Sequence, residues 1–168
     1  HNSVKNDGDI LLGENSTGIY LDKPFVDNKG FILNLNNAKI ESTANNVIGI
    51  RADVRNQKKN ISSSDTPQDV IGNVGEINLY GDKSIGIYST GDARYEVVNF
   101  LNGKIIMGDS FDRDNPSIGI YNDNPNVEIT NHGTIEIGKN SIGMAGIGTL
   151  INDNYGIIKI TKDGGVGM

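Results

Sequence analysis

The feature that most constrains the fold of this chain is an internal repeat made of two short strings. The clearer string has a small residue, any residue, Gly, an apolar residue and an aromatic residue, as in Ser84-Ile85-Gly86-Ile87-Tyr88. The second string precedes it and contains Gly-x-Ile, as in Asn131-His132-Gly133-Thr134-Ile135. Six copies of this pair, some of them weak, predict a repetitive architecture for the whole chain. The glycines of the clearer string are Gly18, Gly49, Gly86, Gly119, Gly143 and Gly167.

The spacing of the two strings predicts the size of one repeat. The two glycines are about 10 or 11 residues apart in five copies, and the shortest return, from Gly143 to Gly156, takes about 13 residues, so the basal period is about 23 residues. In both strings apolar residues recur at every second position, and a third segment with the same alternation, such as Val127-Glu128-Ile129, precedes them. Three short strands per repeat predict a single-stranded parallel β-helix of about six rungs, stacked at ~4.8 Å.

The composition agrees with an all-β solenoid. Gly accounts for 22 of 168 residues, about 13% against a usual ~7%, and Ile and Asn each number roughly two dozen. Turn formers combined with β-branched residues favour strands over helices. Leucine-rich repeats, calcium-binding nonapeptide repeats and propellers fit less well, because their signatures or periods are missing.

Stacked rungs place equivalent residues above one another, so each repeat position becomes a column. We expect one inward column to contain Ile77, Ile105 and Ile135, and another to contain Ile87 and Ile120. The Asn before the second-string Gly is expected at a corner, where its amides form a ladder. That ladder is predicted to consist of Asn6, Asn36, Asn73, Asn131 and Asn154.

The glycines of the clearer string are predicted to face outward, because alternation turns Gly86, Gly119 and Gly143 away from their apolar neighbours. Tyr20, Tyr88, Tyr121 and Arg51 follow these glycines and are expected to flank them. One interpretation is that the tyrosine rings lean over the glycines and shield them. The alternatives are a shallow, tyrosine-rimmed surface that binds a glycan or protein, or packing against another part of a longer protein.

Extra residues lengthen several repeats and are expected to form loops, at about 21–30, 52–68 and 109–116. The second insertion carries or adjoins the basic residues Arg51, Arg55, Lys58 and Lys59. Binding residues often lie on such loops, so these four are candidates for ligand contact. The alternative is that the loops are insertions that the fold tolerates and that have no binding role.

The charged residues exclude several function classes. A net charge of −6 argues against nucleic acid as a partner, and the absence of Cys removes thiolate chemistry. The acidic group Asp109, Asp112 and Asp114, with Asp123 nearby, is a weak candidate for Ca²⁺, although acidic turns are commoner. We find no catalytic arrangement and no phosphate loop or zinc spacing, so no cofactor is predicted.

The repeats between Gly81 and Tyr88 and between Gly133 and Met144 resemble those of autotransporter passenger domains, the type V secreted proteins of Gram-negative bacteria. The resemblance is to their large Asn- and Gly-rich adhesins. It implies a right-handed β-helix, export through the outer membrane by a separate C-terminal barrel, and display on the cell surface. The chain starts in a strand and ends within a repeat, so we expect an internal fragment of a longer passenger.

These observations predict a non-enzymatic surface stalk and adhesion module. Its partners would be a protein or glycan on host or bacterial cells, and neighbouring rods are candidates for side-by-side association. The rival from another class is a β-helix polysaccharide lyase or glycoside hydrolase acting on acidic carbohydrate. A third possibility is a spacer without a ligand of its own.

Overall fold

The structure is a computed structural model that describes residues 3–25, 31–56 and 70–168. Secondary structure in these ranges consists of short β-strands, and none of them contains a helix long and apolar enough to cross a membrane. In chain order the strands are β1 (Ser3–Asn6), β2 (Asp9–Leu11), β3 (Thr17–Phe25), β4 (Phe31–Asn34), β5 (Lys39–Ser42), β6 (Ile48–Asn56), β7 (Val70–Asn73), β8 (Glu76–Leu79), β9 (Ile85–Gly91), β10 (Glu96–Asn99), β11 (Lys104–Met107), β12 (Ile118–Asp123), β13 (Glu128–Asn131), β14 (Thr134–Ile137), β15 (Ile142–Gly146), β16 (Thr149–Asn152) and β17 (Ile157–Ile160).

Every third strand belongs to the same sheet. Sheet A has the order β1-β4-β7-β10-β13-β16, sheet B has β2-β5-β8-β11-β14-β17, and sheet C has β3-β6-β9-β12-β15. Neighbouring strands in each sheet are parallel, as in the pairing of β11 with β8 and β14. Three strands therefore make one rung, and the described residues form five complete rungs and a sixth with strands in sheets A and B, stacked into a parallel β-helix. The predicted fold class is confirmed.

The inward columns are also confirmed. Ile105 is paired with Ile77 on one side and Ile135 on the other, and all three are fully buried. Ile120 is paired with Ile87, and both are fully buried as well. Since burying an Ile stabilises a protein by roughly 1.5–3 kcal/mol, these columns form the main stabilising element between the three sheets.

The asparagine ladder exists, but the sequence-based choice of two of its members was wrong. Each side-chain Nδ2 donates to the Oδ1 of the ladder residue in the next rung, at 2.8 or 2.9 Å. Asn36 and Asn154 are exposed turn residues, and Asn34 and Asn152 hold the ladder positions instead. The reason is turn length: one residue separates Asn73 from its Gly, but three separate Asn34 from Ala38 and Asn152 from Gly156. The ladder consists of Asn6, Asn34, Asn73, Asn99, Asn131 and Asn152.

The glycines of the clearer string face the interior, so their predicted outward orientation was wrong. A Cβ on Gly86 would lie 2.4 Å from the carbonyl oxygen of Gly119 and 2.9 Å from Cγ2 of the buried Ile105. Gly119 and Gly143 are buried in the same way. The strict alternation fails because the chain turns the corner between sheets B and C here, and two consecutive residues, Gly86 and Ile87, face inward. Only glycine leaves room for the backbone of the next rung.

The turns before the Gly86 and Gly143 corners each carry a left-handed residue followed by a buried serine hydroxyl. Lys83 has a φ of 55° and precedes Ser84, and Asn140 has a φ of 54° and precedes Ser141. The hydroxyl of Ser84 accepts a hydrogen bond from the backbone N–H of Val47 in the rung below, at 3.2 Å. These turns therefore link successive rungs through the serine hydroxyls.

The predicted insertions begin later than the sequence suggested. Strands β3 and β6 continue as far as Phe25 and Asn56, so residues 21–25 and 52–56 are strand and not loop. The two strands continue through these residues because they pair with each other, as Asp22 does with Asp53. The remainder of these two insertions, 26–30 and 57–68, lies outside the described residues. Residues 109–116 form an irregular segment between β11 and β12.

Candidate binding surface on the outer face of sheet C

Four side chains on the outer face of sheet C stack into a single column, which we call the aromatic–cation column: Tyr20, Arg51, Tyr88 and Tyr121. Each is the direct strand partner of the next, in four successive rungs. Every one of them follows an inward residue of the Ile87 column, so the alternation of the strand places them outside. The sequence thus identified all four members, and the structure brings them together.

The column is held by ring stacking and by cation–π contacts. The guanidinium carbon of Arg51 lies 5.2 Å from the ring centroid of Tyr20 and 5.4 Å from that of Tyr88. The Tyr88 and Tyr121 rings stack with centroids 5.5 Å apart and an interplanar angle of 18°. A cation–π contact at an exposed site contributes about 0.5–1 kcal/mol. These contacts hold the side chains in fixed positions without covering the column.

The charge of Arg51 is not neutralised by an ion pair within the described part of the chain. Its Nε is shielded from solvent and has no hydrogen-bond partner, and its guanidinium lies over the rings of both Tyr20 and Tyr88. Tyr20 is 51% exposed, whereas Tyr88, Tyr121 and Arg51 are half-buried. The column therefore presents aromatic edges and one positive charge to solvent.

The hypothesis that the tyrosines shield a glycine strip does not hold. The glycines lie inside the β-helix, and the rings contact one another and Arg51. The alternative, that the column binds a ligand, stays a prediction.

The other basic candidates fall into two groups. The guanidinium of Arg55 forms ion pairs with Asp22 and, through Nε, with Asp53 at 3.6 Å, so it holds together the acidic residues beside the column. Lys58 and Lys59 lie outside the described residues.

Two of the acidic candidates, Asp109 and Asp112, are occupied by structural contacts. The carboxylate of Asp109 accepts hydrogen bonds from Lys162 Nζ at 2.6 Å and from the backbone N–H of Lys139 at 2.9 Å. The Lys162 contact is the main cause that lowers the pKa of Asp109. Asp112 accepts a hydrogen bond from the backbone N–H of Asp114 at 2.9 Å, which lowers the pKa of Asp112. In the three described ranges, no group of three or more His, Cys, Asp or Glu side chains is placed to hold a metal ion.

Sequence reasoning missed a buried polar cluster at the corner between sheets C and A. Tyr95 is fully buried there, and its hydroxyl donates to the carbonyl oxygen of Thr90 at 2.9 Å. Burial raises the pKa of Tyr95 to about 12. Nearby, the hydroxyl of Ser89 donates to Oδ1 of Asn122 at 2.6 Å. Tyr95 has no equivalent in the other rungs, so the repeat contained no signal for it.

The single histidine of the described residues also has a partner that the sequence did not indicate. His132 Nδ1 contacts the carboxylate of Asp153 in the next rung, at the exposed corner between sheets A and B. Asp153 in turn accepts the backbone N–H of Tyr155 at 2.9 Å. These bonds join two successive turns, which is a structural role.

Comparison with known proteins identifies a family for this chain. A family model described as the BigA third pectate lyase-like domain matches residues 2–168. No curated protein and no solved structure gives a significant match. Domains of this family occur in bacterial surface proteins, and the words "pectate lyase-like" denote a resemblance of fold. Since the match covers nearly the whole chain and the described residues form a parallel β-helix, the chain belongs to the BigA third pectate lyase-like domain family.

Proposed function

We propose that this domain is a stalk and adhesion module of a bacterial surface protein, and that the aromatic–cation column is its contact surface. The observation that carries the proposal is the stacking of Tyr20, Arg51, Tyr88 and Tyr121 on one outer face. Aromatic residues and Arg are the side chains enriched at binding hot spots. Because their neighbours already fix them, little conformational entropy is lost when a ligand binds.

The fold supports the stalk part of the proposal. Backbone pairing joins each rung to the next, and the interior is filled by continuous columns, so the domain is a stiff spacer. We further propose that the full protein is an autotransporter passenger, anchored at the Gram-negative outer membrane. The partner is a protein or glycan on host or other bacterial cells.

A binding role is favoured over turnover by the state of the acidic side chains. Glycoside hydrolysis needs two carboxyl groups at a defined separation across the scissile bond. Asp109 and Asp112 are engaged by Lys162 and by the backbone of their own turn, which fits a structural role for this segment. We therefore propose that the domain is not an enzyme.

Adherence of the purified domain to cultured epithelial and bacterial cells tests the proposal. Tyr88→Ala removes the ring that contacts both Arg51 and Tyr121, and we expect it to lower cell-bound protein at least tenfold. Tyr155→Ala is the matched control, because Tyr155 is 69% exposed and lies away from sheet C.

Three other results would each overturn the proposal. Equal adherence of wild type and Tyr88→Ala would remove the column as the contact surface. Absence of adherence by the wild-type domain would leave a spacer. Release of unsaturated ends from polygalacturonate, abolished by Asp112→Ala or Asp114→Ala, would identify a lyase.

A further inference from the structure

The aromatic–cation column stops at one rung, and the residue there leaves a gap. The strand partner of Tyr121 in the fifth rung is Ala145. Tyr88 covers one face of the Tyr121 ring, and the two rings are within 18° of parallel. No ring continues the stack on the fifth-rung side, because the strand partner there, Ala145, carries only a methyl group. Adjacent strands are ~4.8 Å apart, so a ring seated over Ala145 would lie at stacking distance from Tyr121.

The groups around this gap combine apolar surface with a free hydrogen-bond acceptor. Ile142 lies three residues before Ala145 in β15 and is half-buried. Asp123 lies two residues after Tyr121 on β12 and is exposed. Its carboxylate has no hydrogen bond or ion pair to any residue that the structure describes, in contrast to Asp109 and Asp112. The gap thus has an aromatic wall, an apolar side and one acceptor at its rim.

This combination fits a sugar ring better than a planar aromatic or an anionic ligand. A pyranose has one face of C–H groups, which carry the partial positive charge that the face of an aromatic ring attracts. Its equatorial hydroxyls point outward from the rim, where a carboxylate accepts their hydrogen bonds. The exposed Asp123 and the net charge of −6 disfavour acidic sugars.

We propose that the gap over Ala145 is a subsite for a neutral hexopyranose, which stacks on Tyr121 and donates hydroxyl hydrogen bonds to Asp123. This deepens the proposed function and rests on it, since the sugar would belong to a cell-surface glycan. One ring stacked on one tyrosine binds weakly, with a dissociation constant on the order of millimolar.

Titration of the isotope-labelled domain with methyl β-D-galactopyranoside and methyl β-D-glucopyranoside, followed by NMR, tests the subsite. At least one of them should saturate shifts at Tyr121 and Ala145. The decisive variant is Ala145→Tyr, which fills the gap with the protein's own ring, continues the stack and abolishes the shifts. Tyr121→Phe keeps the ring and retains binding, whereas Tyr121→Ala lowers the affinity about tenfold or more. Tyr80→Ala, at a 50% exposed tyrosine outside sheet C, is the control.

The outcomes separate this inference from the proposed function. The subsite is refuted if neither pyranoside perturbs Tyr121, even when cell adherence persists. It is also refuted if the Ala145→Tyr variant, shown to be folded by an unchanged melting temperature, binds the pyranoside as well as wild type does. Saturation by galacturonate but by neither neutral sugar would refute the assigned charge class. Loss of adherence in Tyr88→Ala without any sugar binding would leave the adhesion surface standing and remove only the subsite.

Discussion

The interior of the asparagine ladder offers the sharpest test of the fold. Asn99 is fully buried and accepts a hydrogen bond from Asn73 Nδ2 at 2.9 Å, while its own Nδ2 donates to Asn131 Oδ1 at 2.8 Å. Asn99→Ala removes both bonds and leaves a buried amide on each side without its ladder partner. Each buried polar group left unsatisfied costs about 1–3 kcal/mol, so we expect the free energy of unfolding to fall by about 3–4 kcal/mol.

Two matched variants make the test specific, with urea unfolding monitored by circular dichroism as the assay. Asn152 is at the exposed end of the ladder, where water replaces its lost bonds, and Asn152→Ala should cost about 1 kcal/mol or less. Asn102 is exposed and lies outside the ladder, so Asn102→Ala should change stability by less than about 0.5 kcal/mol. If Asn99→Ala costs no more than Asn152→Ala, the ladder does not act as a buried network and the reasoning is refuted.

Three further predictions concern the backbone and the buried tyrosine. Gly86→Ala should destabilise the domain by about 1–3 kcal/mol through overpacking, whereas Gly8→Ala, where a Cβ meets nothing within 4 Å, should not; equal urea midpoints for the two would contradict the inward glycine column. Lys83→Asn should stabilise the domain by up to about 1 kcal/mol and raise its melting temperature, because Asn tolerates the φ of 55° better than Lys; an unchanged or lower melting temperature counts against strain at this turn. The pKa of Tyr95 is about 12 when folded against 10.0 when unfolded, so the unfolded state loses its proton first, and stability is full below pH 10 and falls by about 2–3 kcal/mol toward pH 12. Tyr95→Phe should remove that part of the alkaline loss, and an unchanged pH profile in this variant would show that Tyr95 does not cause it.

The asparagines show where repeat spacing failed as a guide. A motif comparison aligns the Asn that lies two positions before the Gly or Ala of the string, which selected Asn36 and Asn154. Strand pairing instead aligns residues by their backbone hydrogen bonds, so a turn that is two residues longer bulges outward and leaves the register intact. The ladder positions Asn34 and Asn152 therefore emerge only when the rungs are stacked.

The sequence likewise predicted only part of the candidate binding surface. Side-chain alternation predicted the outward position of four residues that each follow an inward apolar residue: Tyr20, Arg51, Tyr88 and Tyr121. Their mutual stacking was not predicted, since it depends on χ angles that are set by the rungs above and below. The stack ends beside Ala145, the strand partner of Tyr121, and the burial of Tyr95 has no counterpart in the repeated motif that could have indicated it.

The sequence alone determined the period, the number of strands in each rung and the apolar columns, because side-chain alternation and turn spacing are local properties that recur in every repeat. Tertiary structure decided which glycines face inward, which asparagines join across rungs and which tyrosines stack on each other. Those outcomes depend on contacts between residues about 20 to 40 positions apart, whose vertical alignment is set by parallel backbone pairing and by the length of each turn.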